Sequence, residues 1–308
     1  MFSNPAALVQ RAIQRRLAAA FASDRLPGEQ YTEPPGDPGL FGPESVTWRV
    51  YAHPSMLVGG ISALMFQALH PLTIAGVAEH SDYRHDPFGR LSRTASFVTA
   101  TTYGSTEVAD SMISVVRSVH RHVKGIAPDG RAYSANDPHL LRWVHVTEVG
   151  SFLRAYRRYA LPPLSAREQD RFFAEVAVVA DKLGAADVPR SRSEVSAYMR
   201  SMRPELQAGA QAFEAMRFLR APIGSDPLTQ NAHRLLTEAA TDLLPPWARG
   251  LYGLQRPPFL DAAATRPATA ALLTALGATT GPSRLLADAR ARCEAPAAAT
   301  GSFAHQPA

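Results

Sequence analysis

Two histidines stand two residues apart near the end of a helical stretch, SVVRSVHRHVKG at residues 114–125. At about 100° per residue, the apolar residues in and around this stretch share one arc of the helix. These residues are Met112, Ile113, Val116, Val119 and Val123. His120 falls inside this arc and His122 at its margin. The pattern therefore predicts that His120 faces the interior, either as a hydrogen-bonded core side chain or as an imidazole ligand to a metal or a haem.

Further ionisable side chains accompany a long uncharged segment. The stretch LHPLTIAGVAEHSDYRHDP, residues 69–87, holds His70, Glu79 and His80 beside otherwise apolar helices. Burying such groups without partners is costly. They are expected either to satisfy one another by hydrogen bonds or to line a functional site.

Two more stretches bring polar groups to helix faces. In RWVHVTEVGSF, residues 142–152, His145 shares a helical stripe with Val149 and Phe152, which predicts that His145 points inward. In GRLSRT, residues 89–94, Arg90 and Thr94 stand four apart and so lie on one helix face. The chain contains no His-Glu-x-x-His motif, phosphate-binding loop, dinucleotide fingerprint or nucleophile elbow, so these common catalytic classes are not indicated.

The composition of the 308-residue chain is typical of a globular protein, with 46% hydrophobic and 19% charged residues. The net charge is +5, but the arginines are scattered and never form a basic block with interleaved aromatic residues. This distribution argues against nucleic-acid binding. A single cysteine, Cys293, excludes an intrachain disulfide and a cysteine-built metal site, and a reducing cytoplasmic location is expected.

The uncharged segment at residues 55–78 is long enough to cross a bilayer. It contains Gln67, His70 and Pro71, and the proline is expected to break it. We therefore predict two shorter helices inside an all-helical core, at about 55–69 and 71–80, and no integral membrane span. Peripheral contact of these apolar helices with a membrane is kept as an alternative. The N-terminal stretch lacks the continuous apolar region of a signal peptide.

Apolar residues recur at helical spacing almost throughout, and convincing alternating strands are absent. We expect an all-α fold of about ten or more helices that encloses a buried cofactor pocket. Asp86, Ser105 or Thr106, and Asp137 are predicted to start helices, and Gly125 to end the helix of the two histidines. The predicted organisation is an amphipathic helix at 1–25, a Pro/Gly-rich connector at 26–46, one helical domain at 47–290 and a disordered tail at 291–308.

Three blocks of the chain resemble a known family. They are WRV, then GGISALMFQALHPLTIAGVAEHSDYRHDPFGRLSRT, then VRSVHRHVKGIAPDGRAYSANDPHLLRWVHVTEVGSFLRAY. Over residues 47–160, and more loosely to LLPPWARGLYGL at 243–254, the chain is similar to the DUF2236 proteins. That family includes the mycophenolic-acid-pathway oxygenase and the rubber-cleaving latex clearing proteins.

The resemblance implies a helical fold around a b-type haem whose iron is bound by a histidine and activates dioxygen. That histidine maps to VHRHVKG, and the periodicity selects His120 over His122. Arg90 and Thr94 match an Arg-x-x-x-Thr pair near the haem, and Glu79 is the nearest counterpart of an acidic residue proposed as a base. The distal face would be open or lined by Arg49, His80 or Arg90, because a distal lysine found in some rubber enzymes has no counterpart here.

Several functions agree with these observations. The leading hypothesis is a haem-dependent oxygenase for a hydrophobic, isoprenoid or natural-product-like small molecule, with His70, His80, Glu79 and His145 as a surrounding polar shell. The alternatives are a haem-binding sensor without turnover, a non-haem iron site built from His70, His80 and His145, and a cofactor-free helical interaction protein.

Overall fold

The computed structural model describes residues 29–223, 226–254, 261–280 and 284–296, so the helix predicted at 1–25 lies outside the described residues. The first half of the chain forms helices and one short hairpin. These elements are α1 (Glu29–Thr32), α2 (Val46–Tyr51), α3 (Met56–Gln67), α4 (Pro71–His80), α5 (Pro87–Tyr103), α6 (Thr106–His120), β1 (Lys124–Ile126), β2 (Ala132–Ser134) and α7 (Pro138–Tyr159).

The second half of the described chain is helical. Its elements are α8 (Ala166–Leu183), α9 (Arg192–Ser201), a 3₁₀ turn (Arg203–Glu205), α10 (Ala210–Arg220), α11 (Pro227–Leu243), α12 (Pro246–Leu251), a π-helical turn (Asp261–Thr265), α13 (Arg266–Thr280) and α14 (Arg284–Glu294). The predicted all-α class is confirmed, with β1 and β2 as its one addition in the described residues.

Local capping signals set several helix starts as the sequence predicted. Asp86 accepts a hydrogen bond from the Gly89 backbone N–H at 2.8 Å, and Asp137 accepts one from His139 at 2.9 Å. Ser105 caps α6 through the Val108 N–H. Gly104, between α5 and α6, has no room for a side chain, because a Cβ there would lie 2.4 Å from the Ala100 carbonyl oxygen. This glycine therefore permits a tight α5–α6 hairpin.

The end of α6 corrects the sequence-based expectation. The helix ends at His120 rather than at Gly125, and residues 124–126 pair antiparallel with 132–134, with Gly125 opposite Tyr133. A Cβ on Gly125 would lie 2.6 Å from the Tyr133 hydroxyl oxygen and 2.8 Å from Glu79 Oε2. The glycine lets the hairpin pack closely on α4. Strands of three residues are too short to show an alternating pattern, which is why the sequence did not reveal them.

The largest core cluster lies where α3 packs against α7 and α11. Met65 and Phe66 of α3 and Trp143 of α7 have no exposed surface, and the Phe66 and Trp143 rings meet edge to face at 5.5 Å. A second cluster forms where α2 and α7 pack on α8. Helix α7 therefore runs through the middle of the molecule and fixes the positions of its polar side chains.

The uncharged segment is divided as predicted, into α3 and α4, which are bent by 107° at the break before Pro71. Within the described residues, no single helix has the length and apolar character to cross a membrane, whereas this bent pair meets those two criteria when taken together.

The predicted disordered tail is wrong at its beginning. Residues 291–294 complete α14, and the side chain of Arg292 is only 1% exposed. Its guanidinium donates hydrogen bonds to the backbone carbonyl oxygens of Tyr31, Asp37 and Gly104 at 2.9–3.1 Å. The connector predicted at 26–46 is accordingly held to α14, and it contains the short helix α1.

Candidate functional site

The α5–α6 hairpin brings Arg90 and His120 to the same end of the molecule. The two helices pack against each other on either side of the Gly104–Ser105 turn. At a rise of about 1.5 Å per residue, both side chains lie roughly 20 Å along their helices from that turn. The C-terminus of α4 meets this end as well, because Arg90 Nη1 donates a hydrogen bond to Ser81 Oγ at 3.1 Å.

His120 and His122 have different environments. His120 is half-buried, and its Nδ1 is buried with no hydrogen-bond partner among the described residues. Burial lowers the pKa of His120, so its imidazole is neutral at neutral pH. His122 is exposed, and its Nδ1 lies 3.1 Å from the Ser118 carbonyl oxygen, to which it can only donate. The inward orientation predicted for His120 is therefore confirmed.

The apolar arc of α6 is narrower than predicted. Ile113 is 4% exposed and agrees with the prediction, but Val119, which was placed inside the arc, is 56% exposed. Val115 lies one turn before Val119 and is 54% exposed. These two valines form an apolar stripe on the outer side of α6, because α6 packs chiefly against α5 and α8 on its other sides.

Glu79, His80 and Tyr133 form a hydrogen-bonded chain between α4 and the β-hairpin. His80 Nε2 lies 3.2 Å from the Lys124 carbonyl oxygen, which can only accept, so this nitrogen carries the proton. The same nitrogen is 3.1 Å from the Tyr133 hydroxyl, whose proton is donated to Glu79. Burial and the Glu79 carboxylate raise the pKa of Tyr133 to about 12, so the phenol stays protonated. The single proton on His80 Nε2 is thus shared between the Lys124 carbonyl oxygen and the Tyr133 hydroxyl oxygen, and Tyr133 in turn donates a hydrogen bond to Glu79.

Arg90 is half-buried, and burial lowers its pKa from the ordinary arginine value. Its guanidinium carbon is 6.0 Å from the centre of the Tyr83 ring. Thr94 is exposed and donates a hydrogen bond to the Arg90 carbonyl oxygen at 3.1 Å, which confirms that the pair shares one helix face. We call Glu79, His80, Arg90, His120 and Tyr133 the α4–α6 site.

Two side chains expected near this site lie elsewhere. Arg49 has a side chain that is 44% exposed and ion-paired with Glu168 at the start of α8. His70 lies at the N-terminal end of α4, about 15 Å along that helix from His80. A single iron bound by His70, His80 and His145 is therefore excluded, because His70 and His80 are too far apart to share an ion.

His70 instead meets two residues that the sequence analysis did not identify. Its Nε2 is 3.5 Å from Glu205 Oε2, and His139 Nε2 is 2.8 Å from the same oxygen. We call His70, His139 and Glu205 the His70 cluster. Its members come from three segments far apart in the chain, so spacing in the sequence offered no signal for it.

A third polar group lies on the inner face of α7. His145 Nε2 is buried with no partner among the described residues, and burial lowers the His145 pKa to about 4 although Asp181 opposes this. Burial raises the pKa of Glu148 to about 7. The helical stripe predicted the inward position of His145, whereas Glu148 was not among the predicted site residues. Glu148 stands one helical turn after His145, and this spacing could have indicated that it shares the same face.

Comparison with protein families gives one match. Residues 48–278 match the family model described as "ER-bound oxygenase mpaB/B'/Rubber oxygenase, catalytic domain". The search of curated proteins and the search of solved structures each found no significant match. The match covers most of the chain, including the α4–α6 site, the His70 cluster and all of α7. The chain therefore belongs to the family of mpaB and rubber oxygenase catalytic domains.

Proposed function

We propose that the protein is a haem b-dependent oxygenase in which His120 binds the iron and dioxygen is used to oxidise or cleave a hydrophobic small molecule. The observation that carries this proposal is His120 itself. It is a half-buried neutral imidazole with an unpartnered buried Nδ1, located at the same end of the α5–α6 hairpin as Arg90. Membership in an oxygenase catalytic-domain family supports the reaction class.

The residues at this end of the molecule fit a haem. A ligand imidazole must be neutral, and burial keeps His120 neutral. Its buried Nδ1 has no partner among the described residues, so this nitrogen is available to a bound group. The half-buried guanidinium of Arg90 is a suitable donor to a carboxylate such as a haem propionate.

A bound haem would supply the binding and activation of dioxygen. In this proposal, His120 would hold the haem iron, and Arg90 would donate hydrogen bonds to a haem propionate. Thr94 holds the Arg90 backbone through its hydroxyl group. Glu79 accepts a hydrogen bond from the Tyr133 hydroxyl group, and the His80–Tyr133–Glu79 chain would hold and pass a proton at the edge of the site.

The substrate in this proposal is apolar. Val115 and Val119 present an exposed apolar stripe on the helix that carries His120, and Ile126 of β1 is 66% exposed. Exposed apolar side chains that lie together commonly mark binding surfaces. Because Val115 and Val119 lie on the outer side of α6, away from the inward-facing His120, they support delivery of a hydrophobic molecule from a membrane or another apolar surface, while the isoprenoid or natural-product type follows from the family resemblance.

The proposal is tested by titrating purified protein with hemin and recording the Soret band for wild type, His120→Ala and His122→Ala. We expect one equivalent of haem in wild type, a lost or shifted band in His120→Ala and an unchanged band in His122→Ala. His122 is the matched control because it stands two residues away and is exposed. No Soret band after reconstitution, or a band indifferent to His120→Ala, would contradict the proposal.

Oxygen uptake then separates an oxygenase from a haem-binding sensor. The holoprotein is supplied with reductant and with a panel of isoprenoid and polyketide-like compounds, and oxygen consumption is recorded with product analysis. An oxygenase consumes oxygen in proportion to product formed, and Arg90→Ala reduces that rate while the Soret band persists. Haem binding without any oxygen-dependent product would assign the sensor function instead.

A further inference from the structure

The His70 cluster is assembled by three separate segments whose backbones are fixed. His70 occupies the N-cap position of α4, His139 is the second residue of α7, and Glu205 ends the 3₁₀ turn. The Gln207 N–H donates to the Leu69 carbonyl oxygen at 2.9 Å, which ties the 3₁₀ segment to the residue before His70. The cluster is thus held in place by main-chain contacts as well as by its side chains.

His70 is a buried imidazole whose location the fold alone does not explain. Its side chain has no exposed surface, its Nδ1 makes no hydrogen bond within the described residues, and its Nε2 has only the long 3.5 Å contact with Glu205 Oε2. It does not serve as a side-chain cap for α4. Its ring packs at 5.9 Å from the His139 ring and at 6.1 Å from the Trp143 ring. Leaving buried polar atoms without good partners costs free energy, and a bound ion would satisfy one of the two ring nitrogens.

The donor atoms are close enough to share one ion after a small shift. Around a tetrahedral ion with bonds of about 2.0–2.2 Å, neighbouring ligand atoms are roughly 3.3–3.6 Å apart, so the His70–Glu205 pair already fits and the hydrogen-bonded His139–Glu205 pair must open by roughly 0.5–0.8 Å. The two nitrogen-to-oxygen distances to Glu205 are 2.8 Å and 3.5 Å, and all three donor atoms lie within 4.8 Å of one another. The side chains of His139 and Glu205 are 37% and 39% exposed, so one side of the cluster is open to solvent for a water ligand.

We propose that His70, His139 and Glu205 bind a divalent first-row transition-metal ion, with zinc as the reference ion. Two imidazoles and one carboxylate form a ligand set suited to zinc, cobalt or ferrous iron and poorly suited to magnesium or calcium. The site is separate from the proposed haem site, since His70 and His80 lie about 15 Å apart at opposite ends of α4. This inference does not rest on the proposed haem function.

The test is a metal titration of the full-length protein after removal of metals with a chelator. Cobalt binding is followed by its visible absorption, and zinc binding by competition with bound cobalt. We expect one equivalent to bind in wild type. His139→Gln and Glu205→Gln should each weaken binding at least tenfold, since loss of even an outer-shell partner costs 10–100-fold. Saturating zinc should raise the melting temperature of wild type and leave those of His139→Gln and Glu205→Gln nearly unchanged.

His85→Gln is the matched control. His85 Nδ1 contacts Asp82 Oδ1 at 2.6 Å on the exposed surface, so this variant removes a histidine–carboxylate pair that lies outside the His70 cluster. Both test variants change partly exposed side chains, and circular dichroism confirms that they are folded. Absence of cobalt binding, or equal binding by wild type and both variants, would overturn the site. His120→Ala should bind cobalt as wild type does, which distinguishes the metal site from the proposed haem site.

Discussion

Replacing Glu148 with glutamine is expected to stabilise the protein at neutral and alkaline pH and to change it little in acid. Glu148 is half-buried on α7, and the described residues provide it with no ion pair or hydrogen bond. The neighbouring Tyr51 phenol has its pKa raised well above the usual value by burial and, to a lesser extent, by the Glu148 carboxylate, so Tyr51 is uncharged over the pH range of interest. Burial raises the Glu148 pKa from 4.5 to about 7.

The sign and size of the effect follow from linkage between protonation and folding. Below pH 4.5 the carboxyl group is protonated in both the folded and the unfolded chain, so it imposes no cost. Between pH 4.5 and about 7 the unfolded chain releases the proton while the folded chain retains it, so stability falls as pH rises. Because each pKa unit corresponds to about 1.4 kcal/mol, the cost above pH 7 is at most about 3 kcal/mol. Glutamine does not ionise and removes it.

The measurement is the free energy of unfolding from urea titrations at pH 5 and pH 8. We expect Glu148→Gln to exceed wild type by up to about 3 kcal/mol at pH 8 and by much less at pH 5. Glu44→Gln, at an exposed position, controls for the loss of one negative charge. Equal free-energy differences at the two pH values would refute the reasoning, because a pH-independent effect would come from packing and not from the buried carboxyl group.

Two further outcomes concern other buried groups. Arg292→Met should lower the free energy of unfolding by about 3 kcal/mol or more in urea titrations, because it leaves two buried carbonyl acceptors and one half-buried acceptor without their donor. The exposed Arg167→Met should have little effect. His145 has a folded pKa of about 4, so its contribution to stability falls as pH falls from 6.5 towards 4, where the unfolded chain takes up the proton first; this slope is opposite in sign to that of Glu148. His145→Gln should therefore gain stability relative to wild type as pH falls through this range, and a difference independent of pH would contradict this account.

Local signals in the sequence predicted much of the helical framework. Asp86 and Asp137 cap α5 and α7 through contacts within three residues, and Pro71 separates α3 from α4. Periodicity also placed His120 and His145 on inward faces and His122 at the margin of the apolar arc, where the structure shows it exposed. The same periodicity failed for Val119, because a helix pattern cannot tell which part of an apolar arc a neighbouring helix will cover.

The sequence by itself determined the helix starts, the helical class and the resemblance to an oxygenase family, because caps, prolines and apolar periodicity act over a few residues. Only the tertiary structure decided which polar groups meet. Glu79 finds Tyr133 and His139 finds Glu205 across separations of 54 and 66 residues. Arg49 turns to Glu168 instead of the α4–α6 site. Such contacts depend on how helices cross and where the short hairpin folds back, and no local pattern along the chain encodes either.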